Sequence, residues 1–349
     1  MTYNRPRYAR RAIAFHERRN QRALVIDGSD NSALSLREQL ELQSVQYFHA
    51  REPFQKRLAM AGSLIETQFV VLQGDDDFHL TDGLESCCDV LRQNPEYSSA
   101  CGIPLFQRRL DNGTWHVFPW TSGRPPLDWD NASIFDSRPI ERLWRHFSPY
   151  CPTSMYGVMR KSAFAQITSS ASLLSIPNIY REEYLFESVL AIVGSIRVLP
   201  VVMWLKSNEN VSVTEREPDI DFFEYLARTT SEGSIEKFVS LVFDTVHRIE
   251  PAIQIDRGEL FDAFKKLVQT DCRQQHASHD FSKWSASTRR WLKGNNHVRT
   301  LGRMCRDVVR GTYSLNPWVR AGKAMIRHGK RSDLAELREV SRVLVEFHR

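Results

Sequence analysis

Short apolar runs and helical patterns take turns along the first hundred residues, and that alternation restricts the fold more than any other feature of the chain. Arg7 to Arg19 sets Tyr8, Ala12, Ile13 and Phe15 on one helical face, and Ala23-Leu24-Val25-Ile26 follows as an extended run closed by the polar turn Asp27-Gly28-Ser29-Asp30. Leu34 to Leu42 reads as helix, Val45-Gln46-Tyr47-Phe48 as strand, and Phe54 to Ile65 as helix again, with Phe54, Leu58, Ala61 and Ile65 aligned. Phe69-Val70-Val71-Leu72 is the next strand. Such alternation with short connections predicts an α/β fold, its sheet mostly parallel, joined by right-handed crossovers and flanked by helices.

That last strand runs into Gln73-Gly74-Asp75-Asp76-Asp77-Phe78. Residues just past the carboxyl end of a strand lie where open α/β sheets bind ligands. Three adjacent aspartates repel one another, which raises their pKa values unless a cation neutralises them. Hard oxygen ligands suit Mg²⁺ or Mn²⁺, which take one or two carboxylates and complete their shell with water and substrate phosphates. The plain alternative is a solvated acidic turn that ends a strand.

Thr81 to Gln93 has helical spacing and Ser98 to Ile103 is a further strand. Between Asp111 and Pro152 periodicity is lost; Trp115, Trp120, Trp129 and Trp144 sit there among prolines and glycines, as pocket-shaping loops or as core filler. Ordered structure resumes at Tyr156 to Met159, Ser162 to Ile167 is a helix, Tyr180 to Ile192 a helix opening on Glu182-Glu183, and Ile196 to Leu205 the last strand. Beyond about Glu215 the spacing is helical: Phe222 to Arg228, Ile235 to Ile249, Arg257 to Asp271, Lys283 to Leu292, and two helices around Leu315-Asn316-Pro317. The expected division is an α/β domain at 1–214 and a helical region at 215–349. Thr2-Tyr3-Asn4 reads as the end of a strand that only Met1 precedes, so the expectation is a first strand truncated at the start.

The net charge of +5 is uneven. Phe281 to Arg349 holds 16 Lys/Arg against 5 Asp/Glu, so the tail is strongly basic and the preceding residues are acidic on balance. Basic amphipathic helices suit an anionic membrane surface, whereas the tail carries no recognisable nucleic-acid module, and no nucleic-acid partner is expected. The six cysteines lack CxxC spacing and read as reduced thiols in a cytoplasmic protein. The longest apolar zone, Ser188 to Leu205, is broken by Gly194, Ser195 and Arg197, and a bilayer span needs about 20 mostly apolar residues. The expected location is the cytoplasm, at most peripheral at the inner face of the membrane.

Thr2-Tyr3-Asn4-Arg5-Pro6, Val25-Ile26-Asp27-Gly28-Ser29, Gln73 to Phe78, Tyr156-Gly157-Val158 and the Glu182-Glu183 pair follow one another in an order that resembles bacterial glycosyltransferases of the GT-A type, family 2-like, over about Met1 to Asn210. The resemblance implies a nucleotide-diphospho-sugar transferase fold. It implies transfer of a sugar, in the manner of a hexosyltransferase and with inversion, from a nucleotide-diphosphate donor to a glycan or lipid-linked acceptor. By resemblance Thr2, Tyr3, Arg5 and Asp27 hold the nucleotide, and Arg57 helps with the diphosphate. Asp77 ligates Mn²⁺ or Mg²⁺, with Asp75 and Asp76 meeting sugar, ribose or metal-bound water and Asp75 a second candidate ligand. Glu182 or Glu183 is the general base. Some members add a metal-binding histidine after the last strand; here Ser207-Asn208-Glu209-Asn210 has none, so Asn208 or Glu209 substitutes, or the aspartates and diphosphate suffice. His49, His79 and His116 form no spaced ligand pair and read as surface or pocket residues.

Plain readings stand beside these. Asp27 also fits an Asx turn, Arg57 a solvated helix arginine, and the glutamates simple helix capping. A nucleotidyltransferase of the same fold is a second reading, though the Gly-rich signature it needs near the first strand is absent. A basic protein that binds nucleic acid or membrane without catalysis is a third.

Overall fold

The computed structural model describes residues 1–109, 115–119, 133–148, 154–176, 178, 180–207, 222–229, 233–270, 339, 340 and 343. Helix Lys283 to Leu292, the helices around Leu315-Asn316-Pro317, Trp120, Trp129, Asn208, Glu209 and the side chains of Trp115 and His116 lie outside that description.

Helix α1 (Pro6–Arg18) opens on a proline, whose missing N–H costs nothing in a first turn. It leads to β1 (Ala23–Asp27), α2 (Leu36–Leu40) and β2 (Val45–His49). The Ser35–Glu38 capping box starts α2, which is shorter than the apolar spacing predicts. β1 and β2 pair in parallel, Ala23 opposite Val45 and Asp27 opposite His49, as a two-stranded sheet. α3 (Phe54–Leu64) then leads into β3 (Phe69–Val71), the acidic turn and the two-residue β4 (Phe78–His79).

α4 (Thr81–Gln93), β5 (Tyr97–Arg109), β6 (Trp115–Pro119), α5 (Pro139–His146), β7 (Val158–Arg160), α6 (Lys161–Ala171), α7 (Arg181–Val193) and β8 (Ser195–Ser207) complete the α/β part. The second sheet runs β3-β7-β5-β8-β4, with β6 against β5. Only β5 and β8 pair in parallel within it; β3 with β7, β7 with β5, β4 with β8 and β5 with β6 are antiparallel. The α/β class with flanking helices is as expected, but the sheet is mixed rather than mostly parallel. A parallel neighbour needs a crossover of a dozen or more residues, usually through a helix, whereas β6 follows β5 after only a short connection. Helix α5, in the segment without periodicity, is a further addition. α4 lies close on β8 because Gly83 is bare: a Cβ there would fall 2.4 Å from the Val202 carbonyl oxygen.

Past β8, α8 (Phe222–Arg228), α9 (Ser234–Ile249) and α10 (residues 257–270) are helical as the spacing predicts. Phe222, Phe238, Val242 and Phe264 join Phe164, Phe186 and Val189 of α6 and α7 in one core. Phe238 meets Phe222 and Phe264 edge-on, with centroids 4.8 and 5.4 Å apart. Val340 and Val343 pack with Phe15, Phe78 and Leu80. Among the described residues no helix is long and apolar enough to cross a membrane, and Cys87, Cys88 and Cys101 are free thiols.

Candidate active site

The turn between β3 and β4 carries the three aspartates to a place where three other pieces of the chain meet: the Thr2–Arg5 segment, the end of β8, and Tyr156. Asp75 is buried, accepting from the Thr2 hydroxyl at 2.7 Å and from the Arg5 guanidinium at 2.6 Å. Arg5 forks, its other nitrogen reaching Asp76 at 2.9 Å. Burial raises the Asp75 pKa, and Arg5 and Thr2 oppose that rise. Arg11 of α1, buried, donates to the Asp76 backbone carbonyl at 3.2 Å. Both arginines stack on Tyr8, their guanidinium carbons 4.2 and 4.7 Å from its ring centre.

Asp77, 6% exposed, accepts from two neutral donors: the Trp204 indole N–H at 3.1 Å and the Ser207 backbone N–H at 2.8 Å. Burial, with the charge of Asp76 beside it, pushes its pKa up to about 7, although Ser207, Lys206 and Trp204 act in the other direction. Tyr156 stacks on Trp204 with centroids 4.6 Å apart, and His79 stacks on the same indole at 6.3 Å. Lys206 lies over the Trp204 ring at 5.2 Å. Burial raises the Tyr156 phenol pKa, and the charges of Glu183, Asp77, Glu187 and Asp76 raise it further. Neither Trp204 nor Lys206 stands out in the sequence; the only signal is their position at the polar end of the last strand. His79 is buried, bonded to Gln73 and to the Tyr156 carbonyl, and thus belongs to the floor of the site rather than the surface.

The two candidate bases face different surroundings. Glu182 is buried and accepts from Gln55 of α3 and from Arg181 at 2.7 Å; burial raises its pKa and Arg181 opposes the rise. Glu183 is partly buried, and its charge is one of those that raise the Tyr156 pKa.

Two residues sit otherwise than expected. Asp27 is fully buried, and its carboxylate is saturated within the chain. One oxygen accepts from the Ser29 N–H (2.9 Å) and hydroxyl, the other from the Ala33 N–H (3.1 Å) and the Tyr47 hydroxyl (2.6 Å). A carboxylate offers about four acceptor sites, so none is left for a nucleotide without displacing a protein donor. Burial alone would raise the Asp27 pKa; the bonds from Ser29, Tyr47 and Ala33 outweigh it and hold the pKa below the usual value. The Ser29 bond is the Asx turn of the plain reading. Arg57 is 4% exposed, not solvated, and donates to the backbone carbonyls of Thr2 (2.6 Å) and Glu52 (3.0 Å), tying α3 to the chain start. Gly28 makes room for it, since a Cβ would lie 2.4 Å from the guanidinium carbon. Tyr3, 58% exposed, presents its ring to solvent on the same side.

Among the described residues no group of three or more His, Cys, Asp or Glu side chains is arranged to hold a metal. A two-carboxylate arrangement completed by water and phosphate is what Mg²⁺ ordinarily takes. Of the two expected ligands, Asp77 is held by neutral donors alone, whereas both oxygens of Asp75 are taken by Thr2 and Arg5; Asp76, beside Asp77, is paired with Arg5 through one oxygen.

No family model matches the chain and no curated protein matches it in sequence. Among solved structures it is similar to S. aureus TarS 1-349, at 13% identity and a TM-score of 0.38, over 78% of this chain and 89% of that one. A second S. aureus TarS structure matches at 13% identity and 0.37, over 77% and 53%. S. aureus TarS 1-349 in complex with UDP-GlcNAc matches at 12% identity and 0.41, over 78% and 90%. Overlap of that degree carries no argument about chemistry, which rests on the residues above.

Proposed function

We propose that the chain is a glycosyltransferase that moves a sugar from a nucleotide-diphosphate donor to a glycan or lipid-linked acceptor, with inversion. The observation that carries this reading is the acidic turn itself, with Asp77 buried on the Trp204 and Ser207 N–H groups and Asp75 and Asp76 held together by the Arg5 fork. A donor whose phosphates meet the aspartates leaves its sugar for a base supplied by the Glu182-Glu183 pair of α7. Asp77 and Asp76 hold Mn²⁺ or Mg²⁺, which supplies neutralisation of the diphosphate leaving group. Arg5 and Thr2 fix the acids, and Lys206 adds positive charge on the β8 side. Tyr3 offers an exposed ring against which a base can stack. The basic tail serves as a contact with anionic membrane, where a lipid-linked acceptor resides.

Glu183 takes the proton of the acceptor hydroxyl. It lies in the first turn of α7, where the helix N-terminus favours the ionised carboxylate. Glu182 positions the helix start through Gln55 and Arg181. Glu183→Gln therefore loses kcat by about a hundredfold or more while donor affinity is kept, the scale of a general base. Glu182→Gln keeps most of its turnover. Steady-state release of nucleoside diphosphate, read with donor binding, separates the two; equal loss in both variants removes the assignment of Glu183.

A further inference from the structure

Val340 and Val343, 1% and 0% exposed, come from far along the chain to pack beside the acidic turn. Three positions apart in a helical segment, they share one face. That face meets Phe15 of α1, Phe78 and Leu80 at β4, and Val202 and Leu205 of β8. Glu339, the residue before them, lies 3.8 Å from the Arg18 guanidinium of α1. Phe15 meets Phe78 edge-on with centroids 4.8 Å apart, and Arg11, which donates to the Asp76 carbonyl, lies over the same Phe78 ring at 5.3 Å.

Phe78 directly follows Asp77, and β4 makes two residue pairs with β8: Phe78 opposite Leu205, and His79 opposite Trp204. Neighbouring positions of a strand point to opposite faces, so the two pairs divide. The His79–Trp204 pair stacks on the site side, where the indole N–H reaches Asp77, and the Phe78–Leu205 pair meets Val340 and Val343. Two pairs make a weak ladder, and the packing behind it has to keep β4 in register with β8. That register also sets Asp77 against the Ser207 N–H, two positions past Leu205. On the reading of Asp77 as the group that meets the diphosphate and its cation, we propose that the Val340–Val343 segment is a positioning element of the active site, holding Phe78 against Leu205 and so fixing the Asp77 carboxylate between its two donors. Truncating the valines leaves a void behind Phe78, and a shift of β4 into that void moves Asp77 relative to Trp204 and Ser207.

Val340→Ala/Val343→Ala is compared with Val242→Ala/Val246→Ala, which removes the same atoms from the fully buried face of α9, in the core shared with α6 and α7. Both are read well below their Tm, by hydrogen exchange at the Ser207 amide and by Mn²⁺-dependent binding of UDP and GDP. In the first variant the Ser207 amide is expected to exchange about tenfold faster and nucleotide affinity to fall about tenfold, whereas in the second both stay near wild type although its Tm is lowered. Should the first double variant fail to fold, Val343→Ala alone replaces it. Unchanged exchange at Ser207, unchanged affinity in a wild-type background that binds, or a change of equal size in the α9 variant overturns the proposal. A wild-type protein that binds neither nucleotide fails the glycosyltransferase reading instead, and the Ser207 amide still decides whether the valines hold the turn.

Discussion

Asp77→Asn is expected to abolish sugar transfer while the protein stays folded. The carboxylate is buried beside Asp76 with its pKa pushed up to about 7, and its two hydrogen bonds come from the neutral Trp204 and Ser207 N–H groups. An uncharged amide of the same shape removes a buried like-charge conflict but accepts at one oxygen only, so either the Trp204 or the Ser207 N–H loses its partner and the Tm falls modestly while the fold is kept. What the amide cannot do is balance a divalent cation or the charge of a departing diphosphate. Removing a single group that stabilises developing charge in a preorganised site typically costs 10² to 10³ in kcat, and loss of a metal ligand belongs at or beyond the upper end. Nucleoside diphosphate release under saturating donor, with a thermal melt alongside, checks both halves. Undiminished turnover sinks the role of Asp77.

Asp27→Ala has the opposite signature. It removes the acceptor for four donors at once: the Ser29 N–H and hydroxyl lose it outright and a cavity opens beside them, while the Ala33 N–H keeps the Tyr47 hydroxyl and Tyr47 keeps Ser32. Each buried donor left unsatisfied costs roughly 1–3 kcal/mol, so a loss on the order of 4 kcal/mol is expected even after some regain water. Asp27→Asn keeps part of the bonding and loses less. Urea denaturation of the three proteins decides: near-wild-type stability in Asp27→Ala, with nucleotide binding gone, would return Asp27 to the nucleotide.

These two aspartates show where sequence reasoning reaches and where it stops. Both close a short apolar run, and pattern alone assigns both to the ligand edge. What separates them is the partners that come from afar: Tyr47 reaches Asp27 from the neighbouring strand, while Trp204 reaches Asp77 from a strand 127 residues away. Helix and strand alternation through β3 was legible because local period carries it. The mixed sheet was not, since β7 follows a segment without periodicity and its direction depends on the path of that segment. Arg57 looks like any helix arginine until the Thr2 carbonyl and bare Gly28 are seen beside it. The Glu182-Glu183 pair is visible in the sequence, yet only the packing of α7 buries Glu182 against Gln55 and leaves Glu183 partly exposed.

The central claim is a nucleotide-diphosphate site built on the acidic turn. Calorimetric titration of the protein with UDP and with GDP, each with and without Mn²⁺, tests it most directly. The account predicts one-to-one binding of one nucleotide that needs the cation and disappears in Asp77→Asn. Heat-silent titrations with both nucleotides in the presence of Mn²⁺, from a protein shown to be folded, would contradict it.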